Sequence, residues 1–238
     1  MAGKSLVYLI PAPLDEQGLE AMPPYLLPAI RDCQVFFAEN LRSARRFLKS
    51  ICKDLVIDEC EWHAMGANEP SPEKAFVDRL SQGRTIGILS EAGCPGIADP
   101  GQTLVALAHE RGATVKPLVG PSAVLLALMA SGLNGQQFRF CGYLPKEEKE
   151  RIKKIRELEA DSQLTQATQV FIETPYRNEA LLGSLCRACR PDTRVCVAAS
   201  LTGPDQWIQT RPAARWTADV PPLHHRPTIF LLLAAESR

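Results

Sequence analysis

Short apolar runs rich in β-branched and aromatic residues punctuate the first half of the chain, at 6–10 (LVYLI), 34–38 (QVFFA), 85–89 (TIGIL) and 115–119 (VKPLV). Helix-compatible stretches fall between them, near 24–32, 42–52, 71–82 and 101–111. Strands alternating with helices predict βα units around a parallel sheet. The continuous apolar character of several runs predicts burial on both faces. Segment 121–132 (PSAVLLALMASG) is apolar on nearly all sides and too short to span a bilayer, so it reads as a buried helix.

After Gly132 the rhythm changes. A strand near 138–144 leads into KEEKERIKKIRELEAD (146–161), where Ile152, Ile155 and Leu158 recur at helical spacing. QVFIE (169–173), a helix near 176–189, RVCVAAS (194–200), a Trp-containing strand near 206–211 and TIFLLLA (228–234) follow. The last strands come without helices between them, which predicts hairpins and a mixed sheet. The expected fold class is therefore α/β with two α/β domains: residues 1–118 around a mostly parallel sheet and residues 119–238 around a mixed one.

The chain has 238 residues, with 27 Lys+Arg against 27 Asp+Glu, 45% hydrophobic and 23% charged. That composition excludes a disordered protein and a broadly basic nucleic-acid coat. A nucleic-acid partner would have to meet a local basic patch, such as Arg42, Arg45, Arg46, Lys49 and Lys53. The cations of 146–161 interleave with glutamates able to form i,i+4 pairs, and read as a solvated helix face. No apolar run approaches the roughly 20 residues of a membrane span, and the N-terminus lacks a signal-peptide layout. The eight scattered cysteines read as reduced thiols of a cytoplasmic protein. Cys186 and Cys189 have no second CxxC and no histidine at ligand spacing; they read as core residues on one face of a helix, and no metal is expected.

Four strand-to-helix loops carry small or polar residues. The densest, Ser90–Gly101 (SEAGCPGIADPG), follows a buried strand and so sits where open α/β sheets bind ligands. Gly93 and Gly96 would let backbone N–H groups approach a ligand. The spacing matches neither GxGxxG nor GxxxxGK[ST], so neither a dinucleotide nor an NTP phosphate site follows. Asp99, followed by Pro100 and Gln102, suits a helix N-cap as well as a ligand contact. The others are Val119–Ala123 (VGPSA), Glu173–Arg177 (ETPYR, with Thr174 as the expected cap) and Ala38–Arg42 (AENLR), where Glu39 either serves chemistry or pairs with Arg42.

The ordered segments IPAPL (10–14), AENLR (38–42), SEAGCPGIADPG (90–101), GPSA (120–123), ASGL (130–133), GYLP (142–145), ETPYR (173–177) and SLTG (200–203) resemble the tetrapyrrole methylase superfamily. Within it they resemble the branch of ribosomal RNA small subunit methyltransferase I, which methylates a cytidine ribose 2′-hydroxyl. The resemblance implies two α/β domains with S-adenosylmethionine in the cleft between them, and a homodimer. It assigns the cofactor to Pro13, Ala92, Gly93, Cys94, Ile97, Ala98, Asp99, Pro121, Ser122, Ala123, Glu173, Tyr176, Leu201 and Thr202. Arg42 and Arg177 fall on the substrate side, and Glu39, with Glu91 next, is the candidate base for a hydroxyl acceptor. The chain departs from the branch where AEDTR becomes AENLR, SDAGTP becomes SEAGCP, ESPHR becomes ETPYR and ELTK becomes SLTG. Charged substrate-side positions are thereby lost at Asn40, Ser200 and Gly203, while the glycines and prolines of the cofactor side are kept. Three activities stay open: an RNA ribose methyltransferase, a methylase of a tetrapyrrole or other small molecule, and a non-catalytic cofactor-binding protein.

Overall fold

The structure, a computed structural model, describes residues 5–65, 72–216 and 222–235. The chain divides into two compact units, Met1–Ser122 and Ala123–Arg238, with the 119–122 segment in the first. Unit 1 runs β1 (Leu6–Ile10), α1 (Leu26–Asp32), β2 (Val35–Ala38), α2 (Leu41–Ile51), β3 (Glu61–Ala64), α3 (Pro72–Ser81), β4 (Ile86–Leu89), α4 (Gln102–Glu110) and β5 (Thr114–Pro117). Its sheet has the order β3-β2-β4-β1-β5, and every pairing is parallel.

Two-residue alternation sorts the strand side chains onto two apolar layers. Tyr8, Ile10, Phe36 and Ala38 pack with Leu26 and Ile30 of α1 and Phe47 and Leu48 of α2. Val7, Val35, Phe37, Ile86 and Ile88 pack with Phe76 and Leu80 of α3 and Leu104 and Ala108 of α4. Strand β3 carries no sequence signal, because Glu61-Trp62-His63-Ala64 is short and half polar. Its neighbours decide it: Trp62 stacks on Phe36 and His63 on Phe37, each at 4.7 Å, while the Arg79 guanidinium donates to the Glu61 carboxylate.

Unit 2 runs α5 (Ala123–Ser131), β6 (Phe138–Tyr143), α6 (Glu148–Thr165), β7 (Thr168–Ile172), α7 (Asn178–Ala188), β8 (Arg194–Ala199), β9 (Trp207–Pro212) and β10 (Thr228–Leu233). The order is β6-β7-β10-β8-β9, with β6–β7 parallel and the other pairings antiparallel. Phe171, Val195, Val197, Phe230 and Leu232 share a core with Ile155 and Leu158 of α6 and Leu181, Leu182 and Leu185 of α7. Cys189 is buried and Cys186 half-buried against that core, and all eight cysteines are free thiols. The charged face of α6 has two exceptions to solvation, Arg151 and Glu159, the latter 7% exposed and accepting the Arg190 amide and the Thr193 hydroxyl. Arg151 is only 5% exposed and donates to Ser184 Oγ and the Lys146 carbonyl. Among the described residues no helix is long and apolar enough to cross a membrane.

Helix α5 departs from the expected buried helix. It lies against β8, β9 and β10 and buries Val124, Ala127 and Leu128, yet Leu125 is 51% and Met129 79% exposed. Only one side of the helix meets a sheet within its unit, so apolar composition cannot bury the other. A pair of substitutions reads this asymmetry. Leu128→Ala is predicted to cost about 2–5 kcal/mol by creating a cavity, and Met129→Ala to stay within about 0.5 kcal/mol. Urea denaturation checks both, and equal losses would contradict the assigned faces.

Candidate functional site

The loops after β1, β2, β4 and β5 all leave the same carboxyl edge of the unit 1 sheet, as parallel pairing requires. Strands β1 and β4 are neighbours, but the chain leaves β1 for α1 on one layer and β4 for α4 on the other. That divergence is the place where open α/β sheets form a ligand crevice. Here the two loops are tied together. The Ala12 amide donates to the Gly93 carbonyl at 2.8 Å, and the Gly93 amide to the Ala12 carbonyl at 3.0 Å. Ser90 Oγ lies 3.3 Å from the same Gly93 carbonyl.

Gly93 sits at φ +74°, a left-handed conformation that glycine adopts at little cost. A Cβ there would lie 3.3 Å from Leu14 and 3.5 Å from the Pro121 carbonyl. Its N–H is therefore spent on the loop-to-loop bridge rather than left to approach a ligand. The β5 loop closes on this pair: a Cβ on Gly120 would fall 2.2 Å from Pro11 Cβ, so only glycine lets that backbone lie on the proline. The Cys94 thiol points at the Pro121 carbonyl at 3.5 Å, and burial raises its pKa, which keeps it a neutral thiol. Pro13, Ala92, Gly93, Cys94, Pro121 and Ser122 thus belong to loops that touch one another or run on from those that do.

The β2 loop joins them through polar groups. Glu39 Oε2 accepts the Glu91 amide at 3.1 Å, and no ion pair links Glu39 to Arg42 among the described residues. Asn40, marked in the sequence as the place of a lost carboxylate, also stands ahead of LRSARR as an N-cap signal. Its Oδ1 accepts the Arg42 and Ser43 amides, and its Nδ2 reaches Glu91 Oε1 at 3.5 Å. The residue that replaces a carboxylate of the related motif therefore starts α2 and adds no charge beside Glu39 and Glu91.

Asp99 does not cap α4. That role falls to Gly101 at φ +123°, without a side-chain hydrogen bond, because the chain turns once more before the helix begins at Gln102. Asp99 is instead half-buried, and its pKa rises to about 6, through burial first and then through the charges of Glu39 and Glu91. The preceding Ala98 holds φ +66°, a costly conformation for a residue with a Cβ, and Ile97 is exposed.

In unit 2 the carboxyl ends of β7 and β8 and the start of β10 share one edge of the sheet. The Glu173 side chain is fully buried there. Its Oε1 accepts the Thr174 amide at 2.6 Å and the Arg177 guanidinium, while its Oε2 has no partner. Arg177 is thus committed to Glu173 and occupies the N-cap position of α7, which excludes Thr174 as the cap. Leu201 is buried, and Thr202 stands at φ +65° with a buried, unpartnered Oγ1. Tyr176 is 69% exposed and meets the His225 ring edge-on at 4.7 Å. Arg226 ties the neighbouring segments, donating to Ser200 Oγ and the Asp205 carbonyl. Ala123 opens α5.

The Asp99 environment yields a signed prediction. Its carboxyl is expected to titrate near 6, and Glu39→Gln to lower that value toward the ordinary range, since removing a negative neighbour favours the carboxylate. The folded pKa lies above the unfolded one, so Asp99 favours folding at acidic pH. That contribution is lost as pH rises through about 6. Carboxyl-carbon NMR titration of both proteins checks this, and an ordinary aspartate pKa in the parent would contradict the geometry.

The model of the Tetrapyrrole (Corrin/Porphyrin) Methylases matches residues 7–215. Over 174 residues the chain is 33% identical to "Ribosomal RNA small subunit methyltransferase I" of Halalkalibacterium halodurans, an alignment covering 73% of this chain and 57% of that protein. The protein of the same name from Micromonospora olivasterospora is 32% identical over 205 residues, covering 86% of this chain and 62% of its own. That from Vibrio cholerae is 30% identical over 220 residues, covering 91% and 73%. The chain thus spans only part of these relatives, from 57% to 73% of their length. Two solved structures share the fold at low identity. The methyltransferase CobJ has a TM-score of 0.65 and 18% identity, covering 98% of this chain and 96% of its own. Diphthine synthase has a TM-score of 0.65 and 12% identity, covering 96% and 89%. With its parallel-sheet unit, bridged carboxyl-edge loops and match over most of its length, the chain belongs to the tetrapyrrole methylase family.

Proposed function

We propose that this chain is an S-adenosylmethionine-dependent methyltransferase acting on the 2′-hydroxyl of a cytidine ribose in 16S ribosomal RNA. The observation that carries methyl transfer is the set of loops held together at the β1/β4 edge, in a chain of this family. The choice of RNA rests on the likeness to relatives named for ribosomal RNA.

The residues present fit such a cofactor. When bound, S-adenosylmethionine supplies an electrophilic methyl on a cationic sulfur, which leaves as a neutral thioether. Glu39, Glu91 and Asp99 concentrate negative charge at one edge of unit 1, a setting that favours a cation. In unit 2, Glu173 Oε2 and Thr202 Oγ1 are buried polar atoms without partners. Each such atom costs about 1–3 kcal/mol unless a ligand supplies a hydrogen bond. Cys94, held as a neutral thiol, takes no covalent part. The acceptor hydroxyl must lose its proton as its oxygen attacks, and Glu39 is assigned as the base, with Glu91 next.

Labelled methyl incorporation into small ribosomal subunits lacking the modification, compared with porphyrinoid acceptors, tests the assignment. Label in the porphyrinoid alone, or in neither, would overturn the RNA reading. Glu39→Gln is expected to lower turnover by about 10²–10⁴. Cofactor affinity should hold within a few-fold, because the amide oxygen of Gln can still accept the Glu91 N–H. Turnover within threefold of the parent would transfer the role to Glu91. The same reading includes a homodimer that covers Leu125 and Met129 of α5; a monomer mass by light scattering at micromolar concentration would contradict it.

A further inference from the structure

Helix α2 concentrates charge that the rest of the chain balances. Its sequence LRSARRFLKSI contains Arg42, Arg45, Arg46 and Lys49 and no acidic residue, in a chain with 27 cations and 27 anions. At 3.6 residues per turn these four project within an arc of about 100°, and all four are exposed. They are held differently. The Arg45 guanidinium lies over the Trp62 ring at 5.1 Å, and Arg46 pairs with Glu16. Lys49 Nζ donates to the Lys53 and Leu55 carbonyls at 2.9 and 3.0 Å. The Arg42 guanidinium has no hydrogen bond or ion pair among the described residues. Structural needs thus leave the face net positive and account for only part of it.

Beside this face lies a groove of about 400 Å³, within the range of small-ligand sites. Ala12 and Leu14 of the β1 loop line it from one side, Ala44 and Phe47 of α2 from the other, and Ser90 and Glu91 also border it. Arg46 belongs both to the groove lining and to the cationic face, so the two surfaces are continuous. The β4 loop serves two directions. Gly93 and Cys94 turn toward the Gly120–Pro121 loop, while Ser90, Glu91 and Ala92 turn toward α2. Glu91, held by Glu39 and reached by Asn40, stands at the junction.

We infer that α2 is the seat of the acceptor RNA: its basic face takes the phosphodiester backbone, and the adjoining groove takes one nucleoside and presents its ribose to Glu91 and Glu39. The inference rests on the RNA reading above and names the surface that serves it. Charge complementarity selects the occupant, since a polyanion gains from four aligned cations and an apolar groove suits a nucleobase face. A porphyrinoid carries no repeating phosphate to engage the outer face.

Filter binding of 16S ribosomal RNA, free and within small subunits, over a range of salt concentrations tests the surface apart from methyl transfer. The double variant Arg42→Gln/Arg45→Gln is expected to weaken binding at least tenfold. It should also shallow the salt dependence by about one unit of slope per lost phosphate contact. Ala44→Leu, which fills the groove, should weaken binding about tenfold with the slope unchanged. If that variant fails to fold, Ser50→Phe fills the same groove from an exposed position. Lys153→Glu on α6 should change neither quantity. If the parent binds RNA and the α2 variants retain its affinity and slope, the inference falls and the proposed function stands. If binding depends on α2 but no methyl reaches RNA, the proposed function falls and takes the ribose placement at Glu91 and Glu39 with it, and the basic face and groove stand as an RNA-binding surface alone. Absence of RNA binding by the parent overturns both.

Discussion

Two hydrogen bonds between Ala12 and Gly93 hold the unit 1 site together. Neighbouring parallel strands deliver their loops to one edge, but nothing in a parallel ladder obliges those loops to stay together once they leave it. An antiparallel bridge beyond the strand ends does so, and it needs a backbone turned into the left-handed region, which Gly93 supplies at φ +74°. The remaining contacts build on that clamp. Ser90 caps the bridge carbonyl, Gly120 lies on Pro11, Cys94 packs toward Pro121, and the Glu91 amide is fixed by Glu39.

The clamp also divides the β4 loop into two working directions. One faces the Gly120–Pro121 turn, where the backbones approach too closely for a side chain at Gly120. The other faces α2, where the groove opens. Charge is sorted along the same line. The carboxylates of Glu39, Glu91 and Asp99 gather at the loops, close enough that two of them raise the pKa of the third. The cations of α2 lie outward, beyond a helix that starts at a neutral Asn40. A carboxylate at that position would also cap the helix, but it would add a negative charge at the groove mouth and at the foot of the basic face.

Unit 2 invests its charged side chains differently. Arg177 is spent on the buried Glu173, Arg226 on Ser200 and Asp205, and Arg151 on Ser184 and Lys146. These are bonds that set loop shape, and among the described residues they leave Glu173 Oε2, Asn178 Oδ1 and Thr202 Oγ1 as buried side-chain atoms without partners. Residues that look free in sequence, Arg177 above all, are committed once the loops fold.

Periodicity alone determined most of the architecture. Continuous apolar runs bounded by turn residues suit strands buried on both faces, and β1, β2, β4, α6 and the β8–β9 hairpin were legible. Pairing was less so: β10 follows β9 with no α-helix between them among the described residues, yet it lies antiparallel between β7 and β8. The glycine- and proline-rich loops, with the motifs they share with the family, pointed to the carboxyl edge. Tertiary structure alone decided whatever depends on a neighbour distant in sequence. Strand β3 exists because Trp62 and His63 find Phe36 and Phe37, and α5 exposes Met129 because a sheet covers only one of its sides. Asp99 yields the cap of α4 to Gly101, and Gly93 spends its N–H on Ala12, a residue some eighty positions earlier. Local propensity reports what a residue can do within one turn or strand; which hydrogen bond or burial it finally takes is set by the partner that folding brings to it.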